Sequence, residues 1–512
     1  MASDAPVLSK DATEKGETTE GRFLIFLASF LTLIAAGVGF AIRGGILGDW
    51  SAQFGFTKGE LGTITGGGLV GFGVTIIIFS LFVDQIGYKP LLVFAFLLHA
   101  LSAVVTLAAT PVFEAAGKDA TYWCLYVGMF MFALANGVCE AVINPLVATL
   151  YPKQKTHYLN ILHAGWPGGL ILGGILAYMF CGREAAVTHL RWEIPMALFL
   201  VPTVLYGLIV LKEKFPQSEA RAAGVTFGEM LVQFASPLLL FLFLLHALVG
   251  YVELGTDSWI VNIMNNSIPG MAFLLFIYTS AIMFVLRFFA GPIVEKINPL
   301  GLLLGSAVLG CVGLYALGAT TAGWAIILAA TVYGVGKTFF WPTMLGVVGE
   351  QFPRGGALTM GTIGGIGMLS AGLLGGPGIG YKQDYFAAQY LEQEAPALYA
   401  EYKSEDPSRF LFFPAVYGLD GTKVGELKDR QAELGDAAIP DSDIAVLDAE
   451  LYGGRMALKW TAVIPLTMAV GYLLLVGYFA SQGGYKQKTI HHVESGAEGE
   501  EYTGGVEGPV QA

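Results

Sequence analysis

Charged side chains are scarce in this 512-residue chain: Asp, Glu, Lys and Arg make up 13% of it, against roughly 25% in an average soluble protein. With 54% hydrophobic residues and a mean hydropathy of +0.62, too few charges remain to clothe a water-soluble body of this size. A large soluble enzyme is excluded. Cysteine is sparse too: Cys124, Cys139, Cys181 and Cys311 have neither metal nor redox spacing and read as small buried hydrophobes. No basic stripe offers a nucleic-acid footprint, no phosphate-cradling loop supports an ATP-driven pump, and no nucleophile–base constellation supports covalent catalysis. The sequence therefore predicts no enzyme, no cofactor, no metal and no nucleic-acid partner. No cleavable leader is expected, because about twenty polar residues precede a first apolar run already as long as a full span.

What the chain has is glycine, 68 residues of it, and long apolar runs. Runs able to cross roughly 30 Å of hydrocarbon at ~1.5 Å per residue fall at 22–44, 61–83, 90–112, 122–149, 158–180, 193–211, 232–256, 270–294, 299–318, 323–347, 357–379 and 456–479. The division between the eighth and ninth rests on a short polar hinge, Glu295 to Pro299. The predicted fold is an all-α polytopic membrane protein of twelve transmembrane helices.

Basic residues orient it. With both termini cytoplasmic, the inner side holds Lys10, Lys15, Arg22, Lys89, Lys153, Lys155, Lys212, Lys214, Arg221, Lys296, Arg354, Lys486 and Lys488. The outer side holds only Arg43, Lys58, Lys118, Arg183 and Arg191, leaving aside a long acidic segment, 381–455, with seven basic and fifteen acidic side chains. The predicted organisation is a polar cytoplasmic N-terminus (1–21), an N-terminal six-helix bundle (22–211), a cytoplasmic linker (212–231), C-terminal helices 7 to 11 (232–380), the extracytoplasmic insertion (381–455) between helices 11 and 12, helix 12 (456–480) and a flexible cytoplasmic tail (481–512). The chain is expected to be a monomer.

The two halves carry a weak repeat. Asn136-Gly-Val-Cys-Glu140-Ala-Val-Ile-Asn144-Pro145 and the exit Leu150-Tyr-Pro152 parallel Tyr333-Gly-Val-Gly-Lys337-Thr-Phe-Phe-Trp341-Pro342 and Gln351-Phe-Pro353, and each exit leads into a Gly-rich span. Two pseudo-symmetric six-helix bundles are the architecture of a transporter that rocks around a central site. Aligning the prolines sets Glu140 opposite Lys337 in mid-span, where an ionised group must face protein or water. A Glu140–Lys337 pair across the halves is one reading, and neutralisation of each within its own half the other. Glycines such as Gly73, Gly169, Gly173 and Gly365 let helices approach closely. Pro145, Pro167 and Pro342 bend helices and release carbonyls.

The turn Ser80-Leu-Phe-Val-Asp84-Gln-Ile-Gly87-Tyr-Lys89 resembles the signature loop of the major facilitator superfamily, with Ser80 where the family has glycine. Gly87 suits the tight turn, Asp84 can cap a neighbouring helix, and Lys89 adds inside charge. Within that superfamily the chain is most similar to the fucose/glucose/galactose–proton symporter group, on the Asn136–Pro145 stretch and on Asn160-Ile-Leu-His163-Ala-Gly165. The resemblance implies that Glu140 takes part in sugar recognition or coupling and that Asn160 occupies the group's span-5 asparagine position. The group's span-1 aspartate is replaced by Gly45, with Arg43 and Asp49 nearby.

Expected substrate-binding residues are thus Arg43, Glu140, Asn144, Asn160, His163, Trp166, Lys337 and Trp341, with Glu140 and His163 coupling protons and Asp84, Gly87 and Lys89 gating. Arg43 attracts a substrate or reaches the headgroups. His163 titrates or bonds across helices. His246, Glu253 and Asp257 cluster along span 7, with an interfacial place favoured, and Arg287 pairs with an acid or reaches the headgroups. The insertion, with a helix over Gln383–Lys403 and several aromatics, reads as a small subdomain, a lid, cap or partner surface. The functional expectation is import of a small polar solute, a monosaccharide, by proton symport across a bacterial inner membrane, the alternatives being an organic-anion carrier or a non-transporting receptor of the same fold.

Overall fold

The structure, a computed structural model, describes residues 19–66, 68–181, 185–435 and 439–490. Lys10, Lys15 and Arg183 lie outside the described residues. Helix dominates, and β-structure among the described residues is two isolated antiparallel bridges, Lys403–Leu419 and Ser408–Val416. The long helices are α1 (Gly21–Gly45), α2 (Glu60–Ser80), α3 (Tyr88–Leu107), α4 (Ala109–Leu150), α5 (Lys155–Phe180), α6 (Glu193–Lys212), α7 (Pro237–Asn265), then, after the shorter apolar α8 (Ala272–Arg287), α9 (Ala290–Ala319), α10 (Gly323–Gln351), α11 (Pro353–Glu394) and α12 (Asp443–Ser481). Apart from α8, these eleven are long and apolar enough to cross a membrane. The chain is an all-α polytopic membrane protein.

Two ranges contain a turn. Gly117, at φ 78°, separates the first turns of α4 from its crossing part. Asn298, at φ 53°, bends α9, and its Oδ1 accepts the N–H groups of Leu300 (2.9 Å) and Gly301 (3.1 Å), capping the longer, C-terminal part of that helix. The polar hinge expected at Glu295–Pro299 is this turn. The span expected at 270–294 is two helices: α8 stops at Arg287, and the N–H of Gly291 donates to His157 Nδ1 on α5 (3.0 Å) instead of to a helical carbonyl. Span 7 starts at Pro237 and not 232, because a Thr226–Glu229 capping box holds Phe227–Val232 as a separate linker helix.

Without a hydrophobic drive between helices in lipid, close contact rests on small residues. On α5, Gly165, Gly169 and Gly173 recur every four residues and face the carbonyls of Phe30, Ile34 and Val38, also four apart on α1. A Cβ at Gly165 would stand 2.7 Å from the Phe30 oxygen. On α7, Gly250 meets the Gly367 carbonyl of α11, and a Cβ on Gly255 would lie 2.7 Å from Gly375 Cα. Both helices carry a π turn there, Tyr251–Gly255 and Ala371–Gly375. The N- and C-terminal helices meet along α2–α11, where Gly73 faces Gly365, and α5–α8, where Gly168 faces Phe284.

The connecting segment 213–236 and the last described residues share one face, termed the linker face. Lys155 bonds Glu219 (2.7 Å), Lys89 bonds the carbonyls of Leu211 and Glu213 (2.8 Å each), and Gln351 bonds the Lys486 carbonyl (2.8 Å). The 381–455 segment does not begin as a separate unit: α11 runs on as helix to Glu394. The helix expected over Gln383–Lys403 is broken at Ala395, where Pro396 starts a new one, Pro396–Tyr402. A small core of Leu391, Tyr402, Val424, Leu427 and Val446 binds this segment to the start of α12.

Candidate substrate site

A pocket lies between the two sets of helices. Thr32 and Ala36 of α1, Glu140 of α4 and His163 and Trp166 of α5 form one wall, with Glu253 of α7, Arg287 of α8 and Trp341 of α10 opposite. The space open to the centre of a water molecule is ≈ 30 Å³, enough for a water or two and well short of the ~300 Å³ of a ligand-filled site. Glu140, His163, Glu253 and Arg287 are all buried. The conformation is closed around them.

Behind the α4–α5 wall one amide, that of Asn144, links the two titratable groups; neither Asn144 nor Lys337 lines the pocket itself. Asn144 Nδ2 donates to Glu140 Oε2 (2.7 Å) and to the Glu140 carbonyl (2.9 Å), while Asn144 Oδ1 lies 2.9 Å from His163 Nε2. Since an amide oxygen only accepts, that ring nitrogen carries a proton. His163 Nε2 is also 4.0 Å from Glu140 Oε2. Placing Glu140 and Asn144 four apart on one helix face made this link possible.

The opposite wall centres on Arg287, whose guanidinium uses three nitrogens. Nη2 donates to Glu253 Oε1 (3.1 Å), Nε to the Thr338 carbonyl (2.8 Å) and Nη1 to the His163 carbonyl across the interface (2.6 Å). Both carbonyls lie four residues before a proline, Pro342 and Pro167. Proline has no N–H, so each has lost its helical donor. Helix α10 breaks there, between Lys337 and Phe340. Glu253 sits in the π turn of α7, a distortion common at functional sites.

The expected Glu140–Lys337 pair is not formed. Lys337 donates to Asp257 Oδ1 at 2.5 Å, within the C-terminal half. The repeat matched sequence positions, but α7 brings Asp257 to Lys337, and Arg287 is the cation that reaches across. Glu253 is buried, 3% exposed, while the Asp257 side chain keeps 15% of its surface exposed. Glu253, Arg287 and Asp257 are the groups that sequence reasoning undervalued. Their signal was present, as ionisable residues inside apolar runs. His246 packs on Trp341, ring centres 4.6 Å apart.

Arg43 does not line this pocket. It is 2% exposed, lies over the Phe132 ring at 3.8 Å and bonds only its own helix, at the Gly39 carbonyl. Asn160 is also outside the pocket: it bonds Thr343 of α10 (3.2 Å), a contact between the halves. Asp84 Oδ2 accepts the Ala357 N–H (3.2 Å) at the start of the Gly356–Ser370 helix. Burial raises the Asp84 carboxyl above its ordinary value, while the Ser218 hydroxyl and the Ala357 N–H pull it back. Gly87 has φ 93°, a conformation that favours glycine.

The described hydrogen bonds between the halves all lie at the pocket or on its linker side. Beyond Arg287–His163 and Asn160–Thr343, Thr156 Oγ1 donates to Glu350 Oε1 (2.6 Å), Lys155 to the Gly349 carbonyl (3.3 Å) and Gln487 to the Pro152 carbonyl (2.5 Å). The linker face is shut. Among the described residues, no group of three or more His, Cys, Asp or Glu is placed to hold a metal ion.

Several solved structures share the fold. A bacterial homologue of the human lysosomal transporter Spinster, inward-facing and unoccupied, aligns at TM-score 0.61 and 15% identity over 91% of this chain and 99% of its own. FucP in its outward conformation aligns at 0.57 and 16% over 88% and 98%; it is the E. coli fucose:proton symporter. The human organic anion transporter MFSD10 aligns at 0.54 and 13% over 89% and 100%. No curated protein sequence matches significantly. The sequence pattern of the Major Facilitator Superfamily matches residues 25–376, so the chain belongs to the Major Facilitator Superfamily, a family of transporters and not of enzymes.

Proposed function

We propose that this chain is a proton-coupled importer of a small polar solute, a monosaccharide, working by alternating access of two six-helix halves, with α8 and its continuation to Asn298 counted as the eighth span. The linker face is cytoplasmic, as its basic residues favour, and the membrane is a bacterial inner membrane. One observation carries the reading: Glu140 from one half and Arg287 from the other line the same closed pocket. Opposite charges buried at mid-membrane suit a site and not a scaffold. Trp166 and Trp341 supply flat apolar faces, and Glu140 and His163, with Asn144 bonded behind them, supply polar contacts, a combination matched to a sugar ring.

Charge counting supports the proton. Arg287 is paired with Glu253 and Lys337 with Asp257, and Glu140 is the pocket carboxylate whose hydrogen bonds come from a neutral amide and not from a cation. A proton on Glu140 neutralises it, and substrate hydroxyls can then share Asn144 and His163. Deprotonation toward the cytoplasm restores the charge and resets the cycle. Because this chain has Gly45 where the group has its span-1 aspartate, Glu140 is the one coupling carboxylate.

The test is a substrate panel in proteoliposomes with an imposed, reversible proton gradient. Neutral monosaccharides should accumulate, and should compete with a labelled sugar where monocarboxylates do not. Uptake of monocarboxylates alone contradicts the sugar reading and favours an organic-anion carrier using Arg287. Specific binding without flux of any solute contradicts transport.

A further inference from the structure

We propose that Arg287 is the mid-membrane latch between the halves, and that it latches by taking the place of two N–H donors that prolines removed. This rests on the alternating-access reading above. A carbonyl inside a membrane-spanning helix with no N–H four residues ahead has lost its regular helical donor and is free to accept another. The His163 carbonyl on α5 and the Thr338 carbonyl on α10 are two such groups, freed by Pro167 and Pro342. A single guanidinium satisfies both, at 2.6 and 2.8 Å. Only arginine presents several donors in a fixed planar fork, and a lysine ammonium cannot reproduce this set. Glu253 holds the remaining edge at 3.1 Å, so Arg287 stays charged and anchored in its own half when the other half departs.

Of the three bonds, two remain within the C-terminal half. The bond to the His163 carbonyl is the one that crosses, and it attaches to the same helix segment that carries the His163 side chain toward Glu140. Opening the linker face separates α5 from α8, so this bond must break on every cycle. Arg287 is therefore a positioning residue: it sets how readily the linker face opens, independently of which solute is carried.

The proposal separates from a merely structural role through Pro167→Ala. That substitution returns an N–H to the His163 carbonyl, competing with Arg287 while leaving every charge in place. Spin labels at Lys153→Cys and Lys296→Cys, two exposed linker-face positions, report opening by pulsed distance measurement without substrate, with the four native cysteines replaced. Pro167→Ala and Arg287→Lys should each raise the open-to-closed ratio on the order of tenfold to a hundredfold, the equivalent of one charge-assisted hydrogen bond. Pro145→Ala is the control, because no described side-chain donor takes the Ala141 carbonyl it would re-satisfy, and its distances should match the parent. If Pro167→Ala leaves the distances unchanged, the latch is overturned, and this holds even if Arg287→Lys does not fold. Because no solute is present, failure of the sugar reading and failure of the latch are read separately.

Discussion

Lys337 is fully buried, and a charge so placed persists only with an anion at hand. Among the described residues the carboxylate bonded to it is Asp257. Lys337→Met or Asp257→Asn alone should therefore destabilise the protein by about 3–5 kcal/mol, and the double variant by much less, measured as thermal unfolding midpoints in detergent. Additive losses would contradict the pairing. Glu140, His163, Trp166 and Trp341, which the structure brings to one pocket, stood out in sequence because polar and aromatic residues are conspicuous in apolar runs. The Arg287–Glu253 pair was not, since 34 residues and a π turn separate its members. The capture of two carbonyls was hidden for a related reason: sequence shows which carbonyls a proline frees, but only the packed helices show which donor arrives.

Between helices, glycine sets the approach. Gly255→Ala would push a methyl group to 2.7 Å from Gly375 Cα, backbone that cannot yield, so little folded protein should survive extraction. Gly71→Ala meets nothing within 4 Å and should be neutral or slightly stabilising. Monodispersity on size-exclusion chromatography distinguishes the two, and equal behaviour would contradict the α7–α11 packing. Hydropathy revealed the helices because lipid imposes length and apolarity together. It did not reveal where α8 stops, since the Gly291 N–H is satisfied by His157 from another helix, nor that α11 runs unbroken from the expected span into the helix expected from Gln383.

Across the whole molecule the described hydrogen bonds between the halves lie at the pocket or on its linker side, and the chain's last described residues take part in them. Tyr485 bonds Glu350 (2.7 Å), the Lys488 N–H donates to the Glu350 carbonyl (2.9 Å), and Gln487 reaches Pro152 in the other half (2.5 Å). Truncation after Gly484 should loosen the linker face. A cysteine introduced by Ala148→Cys, at a position now 4% exposed, should then react several-fold faster with a membrane-impermeant thiol reagent from that side. An unchanged rate would show that the tail merely rests on a gate closed by other contacts.

The account turns on Glu140 as the proton-bearing carboxylate. The direct measurement is sugar flux in proteoliposomes for the parent protein and Glu140→Gln, once with an inward proton gradient and once as exchange between equal solute pools. The parent should accumulate sugar above equilibrium, and Glu140→Gln should retain exchange while losing accumulation. Accumulation by Glu140→Gln with its dependence on pH intact would contradict the account.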